Sequence, residues 1–191
     1  RNLFQSFDIS FPQNYETKKY LNSLGAKKIK FLGNLKFSES KTQKNIALNK
    51  NIEKIFKSRK IWCAASTHNG EEKICADAHK KLKKKYKKLL TVIIPRHVHR
   101  VNNIYKEINN MGFKVQIHSK KNKIKKDTDI YLVDTYGETK SFFKICNTVF
   151  LGGSIVNHGG QNPLEPARFG CKILHGPNIQ NFTEVYKLLN K

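Results

Sequence analysis

The residues best suited to chemistry lie in a glycine-rich segment, 152–166, that follows an apolar run at 148–151. The segment contains two glycine pairs, Gly152-Gly153 and Gly159-Gly160. Because glycine has no Cβ, such a chain lets backbone N–H groups approach an anionic ligand closely. Asn162-Pro163-Leu164-Glu165 has the pattern of a capping box with proline at the first helical position. A strand, glycines and a capped helix together predict a nucleotide or nucleotide-sugar site.

Two earlier segments carry groups that suit a phosphate. Pro95-Arg96-His97 ends the most apolar run of the chain, where the planar guanidinium of Arg96 can pair with a phosphate. Ser66–Glu72 follows another apolar run and contains hydroxyl groups. It also fits a plain capping box, with Asn69 as N-cap and Glu72 three residues later. A phosphate-binding role and a capping role are both compatible with this second segment.

Three further groups have simpler interpretations. In Asp134–Glu138 we expect Asp134 or Thr135 to cap a helix, with Glu138 in its first turn. His97-Val98-His99 predicts no metal site, since no third ligand has matching spacing. His158 either lines the pocket or is solvated.

The elements that must position these residues alternate regularly from residue 61 onward. Strand–helix units of this length predict right-handed crossovers and an α/β fold, a Rossmann-like and mostly parallel sheet with helices on both faces. Ligands of such sheets bind beyond the carboxyl ends of the strands, where five of the seven histidines lie. The predicted strands are Ile61–Ala65, Leu89–Ile94, Val115–His118, Ile130–Val133, Thr148–Leu151 and Lys172–Leu174. The predicted helices are Gly70–Tyr86, Asn102–Met111, Gly137–Cys146, Asn162–Phe169 and Phe182–Asn190.

The first part of the chain is less regular. We expect strands at Phe7–Phe11 and Ile29–Leu32, and between them a helix, Asn14–Leu24, that ends near Gly25. Thr42–Ser58 is polar with sparse apolar residues, which predicts one or two surface helices.

Composition excludes several classes of protein. The 191 residues suit one α/β domain with additional chain, and both ends look like cuts in a longer protein. The longest central aliphatic run is too short to span a bilayer. The four cysteines have no C-x-x-C spacing, which indicates reduced, partly buried thiols. The net charge of +23 comes from 37 basic residues, but only five are Arg, so we expect no nucleic-acid partner.

Taken together, the segments resemble the C-terminal half of the 3-deoxy-D-manno-octulosonic acid (Kdo) transferases of lipopolysaccharide synthesis. The resemblance implies the C-terminal domain of a GT-B glycosyltransferase, with residues 1–37 as the tail of the acceptor domain and residues 38–191 as the donor-binding domain. It rests on six motifs in register. They are Gly33-Asn34-Leu35-Lys36, Ala65–Glu72, Pro95-Arg96-His97, Asp134–Glu138, Gly152-Gly153-Ser154 and His158–Pro166.

The resemblance also implies the substrates and the roles of individual residues. The donor is CMP-Kdo and the acceptor is the lipid A precursor (lipid IVA). Lys36 is assigned to transition-state stabilisation, whereas the catalytic base lies in a missing N-terminal domain. No metal or other cofactor is expected, and the full protein works at the cytoplasmic face of the inner membrane, on the membrane surface, through a missing N-terminal segment. The cytidylate contacts are assigned to Pro95, Arg96, Tyr136, Gly137, Glu138, Asn162, Pro163, Leu164 and Glu165.

The chain departs from the family pattern at a few positions. Tyr136 stands where the family usually has Met, Thr139 where it has Leu, and Gln161 where it has His. Asn178-Ile179 replaces the usual His-Thr. Two alternatives stay open: another GT-B transferase or a sugar-nucleotide epimerase that uses UDP-sugars, and a non-enzymatic basic module that binds RNA or anionic lipid. We expect this chain alone to bind CMP weakly and not to catalyse transfer.

Overall fold

The computed structural model describes residues 2–32, 48–120 and 124–189. The chain divides into two compact units, residues 1–44 and 45–191. The predicted Gly33–Lys36 motif, including Lys36, lies outside the described residues.

The first unit contains two helices, α1 (Asn2–Gln5) and α2 (Tyr15–Ser23). The side chain of Asn14 caps α2 by accepting from the Thr17 N–H, and Gly25 has a φ of 86°, so this predicted helix and its end are confirmed. The strand predictions at 7–11 and 29–32 are wrong. Only Ser10 and Ile29 form a bridge, since the two segments run alongside each other for a single pair without a sheet to join.

The second unit is built on a six-stranded sheet in which every neighbouring pair is parallel. The strand order is β3-β4-β2-β1-β5-β6. All six strands were predicted from the apolar runs, with ends that differ by no more than a few residues. They are β1 (Lys60–Thr67), β2 (Leu89–Pro95), β3 (Val115–Ile117), β4 (Ile130–Leu132), β5 (Thr148–Leu151) and β6 (Lys172–Leu174).

Helices pack on both faces of this sheet, which confirms the predicted layer architecture. One core cluster joins α4 (Glu71–Lys83) and α5 (Val101–Asn110) to one face of the sheet, and another joins α3 (Lys50–Lys57) and α6 (Thr139–Phe143) to the opposite face. Strand β2 is buried along its whole length because both of its faces are covered. The helices are α3 (Lys50–Lys57), α4 (Glu71–Lys83), α5 (Val101–Asn110), α6 (Thr139–Phe143), α7 (Leu164–Arg168) and α8 (Thr183–Leu189).

One helix differs from the sequence interpretation, and another has charged residues in the core. α3 does not lie simply on the surface, because Phe56 is 1% exposed and packs edge-on against Tyr131. In α4, the residues inside the core are Cys75, Ala76 and His79, together with the two glutamates at the helix start. All four cysteines are free and buried, in line with the expected reduced thiols.

Candidate functional site

The direction of strand addition reverses between β1 and β5. From β1 the chain moves through α4 to β2 on one side, and it later returns through α6 to β5 on the other side. The loops after these two strands lie at the carboxyl edge of the sheet beside this reversal, which is the position of the ligand-binding crevice in open α/β sheets.

The backbone at this edge of the sheet is tightly packed. Ser66 has a φ of 56°, unusual for a residue with a Cβ, and the β1–β2 register shifts between Ala65 and Thr67. A Cβ on Gly152 would lie 2.3 Å from the carbonyl oxygen of Ser66. The first glycine of the glycine-rich segment is thus required for packing of β5 against the end of β1.

The N–H groups of the glycine-rich segment bind a carboxylate of the protein itself. Glu71 is fully buried at the start of α4. Its Oε2 accepts from Gly153 N at 2.7 Å and from His68 N at 2.8 Å, and its Oε1 accepts from Ser154 N at 3.1 Å and from Ile155 N at 3.0 Å. The expectation that these N–H groups are presented to an anionic ligand is therefore wrong for residues 153–155, because an internal anion already satisfies them.

The second buried carboxylate ties the same loop to the end of β2. Glu72 accepts from Arg100 through both oxygens, at 3.0 and 3.1 Å, and from the Thr67 hydroxyl at 2.9 Å. Asn69 accepts from Arg100 at 3.2 Å. The predicted capping box of Asn69 and Glu72 is wrong: Gly70 precedes α4 with a φ of 90° and no side chain caps the helix, since both side chains are used in tertiary contacts.

Three histidine rings meet beside these carboxylates. The ring of His68, after β1, lies with its centroid 4.0 Å from that of His158, after β5, and 6.0 Å from that of His97, after β2. The ring Nε2 of His68 lies 3.2 Å from Nε2 of Gln161. Burial, followed by the neighbouring His158, lowers the pKa of His68. The three strand ends therefore converge, as the sequence predicted.

The predicted donor contacts of Pro95 and Arg96 lie next to this cluster. Pro95 is buried as the last residue of β2, and the Arg96 N–H donates to Thr67 O at 3.0 Å, which locks the two strand ends together. The Arg96 side chain is exposed. The guanidinium is thus available at the carboxyl edge of the sheet.

The end of β4 forms a separate hydrogen-bonded group. Glu138 accepts from the Thr135 hydroxyl and contacts Nε2 of His118 at 3.0 Å, while Asp134 accepts from the N–H of Ser119 at 2.8 Å. The prediction that Asp134 or Thr135 caps α6 is wrong, since the helix starts at residue 139 with Glu138 before it. Tyr136 and Gly137 are exposed between them.

The start of α7 approaches this group. Asn162 Oδ1 accepts from the Leu164 N–H at 3.1 Å, but the predicted capping box with proline at the first helical position is wrong, because the buried Pro163 precedes α7 and the helix begins at Leu164. Glu165 does not complete a capping box. Its carboxylate lies 3.3 Å from Nζ of Lys140, two residues beyond Glu138. This ion pair brings the Asn162–Glu165 segment close to the loop after β4.

Two properties of the described residues bear on the alternatives. No group of three or more His, Cys, Asp or Glu side chains among them is arranged to hold a metal ion, the histidine rings included. None of the helices within residues 2–32, 48–120 and 124–189 combines the length and the apolar character needed to cross a membrane.

Comparisons with known proteins give relatives that cover most of this chain. The 3-deoxy-D-manno-octulosonic acid transferase of Haemophilus influenzae is 33% identical over 184 residues, which cover 95% of this chain and 43% of that protein. That of Aquifex aeolicus is 30% identical over 189 residues, 99% of this chain and 49% of the relative. No protein-family profile matches.

One solved structure shares the fold. The C-terminal CMP-Kdo binding domain of WaaA from Acinetobacter baumannii superposes with a TM-score of 0.65 at 28% identity, covering 69% of each chain. The chain is thus similar to Kdo transferases over most of its own length. It spans about half the length of the transferases that it matches.

Sequence reasoning missed the role of Glu71 and of the Glu72–Arg100 pair. Both glutamates were visible at the start of a predicted helix, where an acidic residue is already explained by the helix dipole. The partners of the two glutamates are the N–H groups of residues 153–155 and the guanidinium of Arg100. These partners lie far downstream, and only the strand order brings them next to the glutamates.

Proposed function

We propose that this chain is the donor-binding part of an enzyme that transfers Kdo from CMP-Kdo to an acceptor hydroxyl. The observation that supports this most strongly is the match to a solved domain named for CMP-Kdo binding, at 28% identity and a TM-score of 0.65. The convergence of the ends of β1, β2 and β5 supports it independently, because their loops meet at the reversal of strand order, where open α/β sheets bind ligands.

The donor contacts follow from the exposed groups at this edge. We assign Arg96 to the phosphate, since its guanidinium is exposed and its backbone is held at the end of β2. We assign the loop Tyr136–Glu138 and the segment Asn162–Glu165 to the nucleoside, because the Lys140–Glu165 pair holds them near each other. Pro163 and Leu164 shape the second segment.

The chemistry requires stabilisation of a leaving phosphate. Transfer breaks the bond between the sugar and the phosphate oxygen, and the electron pair leaves with CMP, so negative charge grows on one phosphate group. A cation near that oxygen lowers the barrier, and we assign this role to Lys36. A base outside this chain removes the proton of the acceptor hydroxyl. No metal ion enters this scheme, because a single phosphate carries less charge than a diphosphate.

The acceptor and the location are part of the same proposal. We propose the lipid A precursor as acceptor, which places the whole enzyme at the cytoplasmic face of the inner membrane in lipopolysaccharide synthesis. The charge of +23 favours a surface that carries anionic lipid.

A nucleotide titration tests the donor assignment. Thermal unfolding of the chain is followed with increasing CMP, UMP and UDP, because a ligand that binds the folded state raises the unfolding temperature by mass action. We expect CMP to stabilise the chain more than UMP or UDP does. A larger effect of UDP contradicts the proposal and favours a UDP-sugar enzyme, whereas equal, strongly salt-dependent effects favour a basic module that binds polyanions.

A further inference from the structure

The histidine cluster at the crevice has no counter-charge of its own. His68, His97 and His158 come from three neighbouring strand ends, and their rings lie within 4.0 to 6.0 Å, centroid to centroid. Among the described residues, no carboxylate oxygen lies within ion-pair distance of any of these three rings. A proton added to this cluster is therefore not balanced by an ion pair with a described carboxylate.

Gln161 also contacts the cluster. Its side-chain amide lies 3.2 Å from Nε2 of His68, and an amide can donate to a neutral ring or accept from a protonated one. The contact is therefore compatible with both charge states of His68.

The charged groups that face His68 act in opposite directions. After burial and His158, Glu71 at the start of α4 raises its pKa, and then His97 and Arg100 lower it; the net shift is downward. Glu71, however, is already bonded to four N–H groups, and Arg100 is bonded to Glu72. The neutral ring is therefore favoured until an anion arrives.

We propose that His68 and His158, with His97 beside them, form a proton-linked binding site for the phosphate group of cytidylate. This inference rests on the proposed function and extends it to residues outside the assigned donor contacts. Binding of the phosphate stabilises an imidazolium in the cluster, so the protein takes up a proton from solution as the ligand binds. The same charge is then in place when negative charge grows on the departing phosphate.

The exposure of the rings supports this assignment. A Cβ on Gly153 would lie 3.2 Å from the ring of His68, so the glycine leaves room beside this ring. His158 and His97 are exposed, and Arg96 immediately precedes His97. The proposed phosphate contact of Arg96 and the cluster therefore share the end of β2.

Calorimetric titration in buffers of different ionisation enthalpy tests the proposal, because it measures the protons taken up on binding. CMP, its methyl ester and cytidine are the probes. The ester has no phosphate proton to exchange at neutral pH, so any uptake with it comes from the protein. At about pH 7 we expect uptake with CMP and with the ester to approach about one proton, and none with cytidine.

Histidine variants test whether the proton taken up on binding is held by the cluster. His158→Gln removes an exposed ring and leaves the fold intact, and we expect it and His68→Gln to reduce the uptake by about half or more. His175→Gln is the matched control, since His175 is exposed after β6 and outside the cluster. Gln161→Glu places a carboxylate beside His68 that favours the charged ring before binding, so uptake falls while CMP still binds.

The outcomes separate this inference from the proposed function. If CMP binds but the uptake is absent, or is unchanged in both His158→Gln and His68→Gln, the proton-linked site is excluded and the donor assignment stands. If neither CMP nor its ester binds, the proposed function itself is contradicted.

Discussion

The loops after β5 and β2 show two uses of polar groups at the same edge of one sheet. After β5, the N–H groups of Gly153, Ser154 and Ile155 are all bound by Glu71. After β2, the side chain of Arg96 is exposed. A glycine-rich turn that looks like an anion site thus holds an anion supplied by the protein, and the group open to an external anion is a side chain next to it.

This difference distinguishes groups that stabilise the fold from groups that are available to bind a ligand. Groups satisfied inside the protein contribute to folding, and their loss leaves buried donors without partners. Groups that face the crevice contribute to ligand affinity and little to folding. The comparison therefore predicts that substitutions around Glu71 and Gly152 affect the free energy of unfolding, whereas substitution of Arg96 affects nucleotide affinity.

The largest effect is expected for Glu71→Ala. The substitution leaves four N–H donors without an acceptor in a buried site, at a cost of roughly 1–3 kcal/mol for each group that water does not reach. We expect the free energy of unfolding, measured by urea denaturation, to fall by at least about 4 kcal/mol, a large share of the stability of a domain of this size.

Glu107→Gln is the matched control for Glu71→Ala. Glu107 is exposed on α5, and its substitution is expected to change stability by less than about 0.5 kcal/mol. Equal losses in the two variants would contradict the view that the glycine-rich segment is held by an internal carboxylate.

Substitution of two glycines distinguishes the cost of a steric clash from the cost of backbone strain. In Gly152→Ala the new Cβ would meet the Ser66 carbonyl at 2.3 Å, and the backbone there cannot move without disturbing the end of β1. We expect a loss of about 3 kcal/mol. In Gly70→Ala nothing lies within 4 Å, so the cost is that of a φ of 90°, about 1 kcal/mol. Chemical denaturation of both variants checks the order, and a larger loss for Gly70→Ala contradicts it.

The fold was predictable because the apolar runs and the helix ends are local signals. Strand β2 is an apolar run buried on both faces, and its limits follow from composition alone. The end of α2 at Gly25 is local in the same sense. The two strands predicted at 7–11 and 29–32 are absent, and only Ser10 and Ile29 pair. Strand formation depends on a partner that the sequence does not specify.

The site was predictable only in part, because its key contacts join distant residues. The strand-end loops converge as expected, but Glu71 binds Gly153 across 82 positions, and Glu72 binds Arg100 across 28. Local rules had already assigned both glutamates to the start of α4. The roles of Arg96, Glu138 and Glu165 in donor binding stay predictions, as does that of Lys36.

The next prediction concerns Arg96, the exposed side chain after β2. Arg96→Ala removes a charge-assisted contact to phosphate, worth about 1.5–3 kcal/mol, so we expect CMP affinity to fall roughly tenfold to hundredfold. The unfolding free energy should stay unchanged, because the Arg96 N–H that bonds Thr67 is retained. Calorimetry measures the CMP affinity and chemical denaturation measures the free energy of unfolding of the same samples.

Lys106→Ala, on the exposed side of α5, controls for loss of a positive charge. Equal affinity losses in the two variants would show that Arg96 acts through net charge.

The smallest expected effect is a dependence of the free energy of unfolding on pH. His68, at the carboxyl edge of the sheet, and His79, in the core, both contribute to it. Burial lowers the pKa of His68 at the carboxyl edge, and burial also lowers that of His79, which contacts Thr91 inside the core. A histidine with a lowered pKa in the folded state binds fewer protons than in the unfolded chain. Its contribution is therefore fully present above the unfolded value of about 6.5 and is lost as pH falls towards the folded pKa.

We accordingly expect the urea midpoint of the unliganded chain to decrease between about pH 7 and pH 5. His68→Gln should remove only part of this decrease, since His79 retains its share, whereas addition of CMP should weaken it if the His68 ring becomes protonated in the complex. A decrease of the same size in His68→Gln and in the parent chain would place the whole pH dependence in the core, away from the crevice.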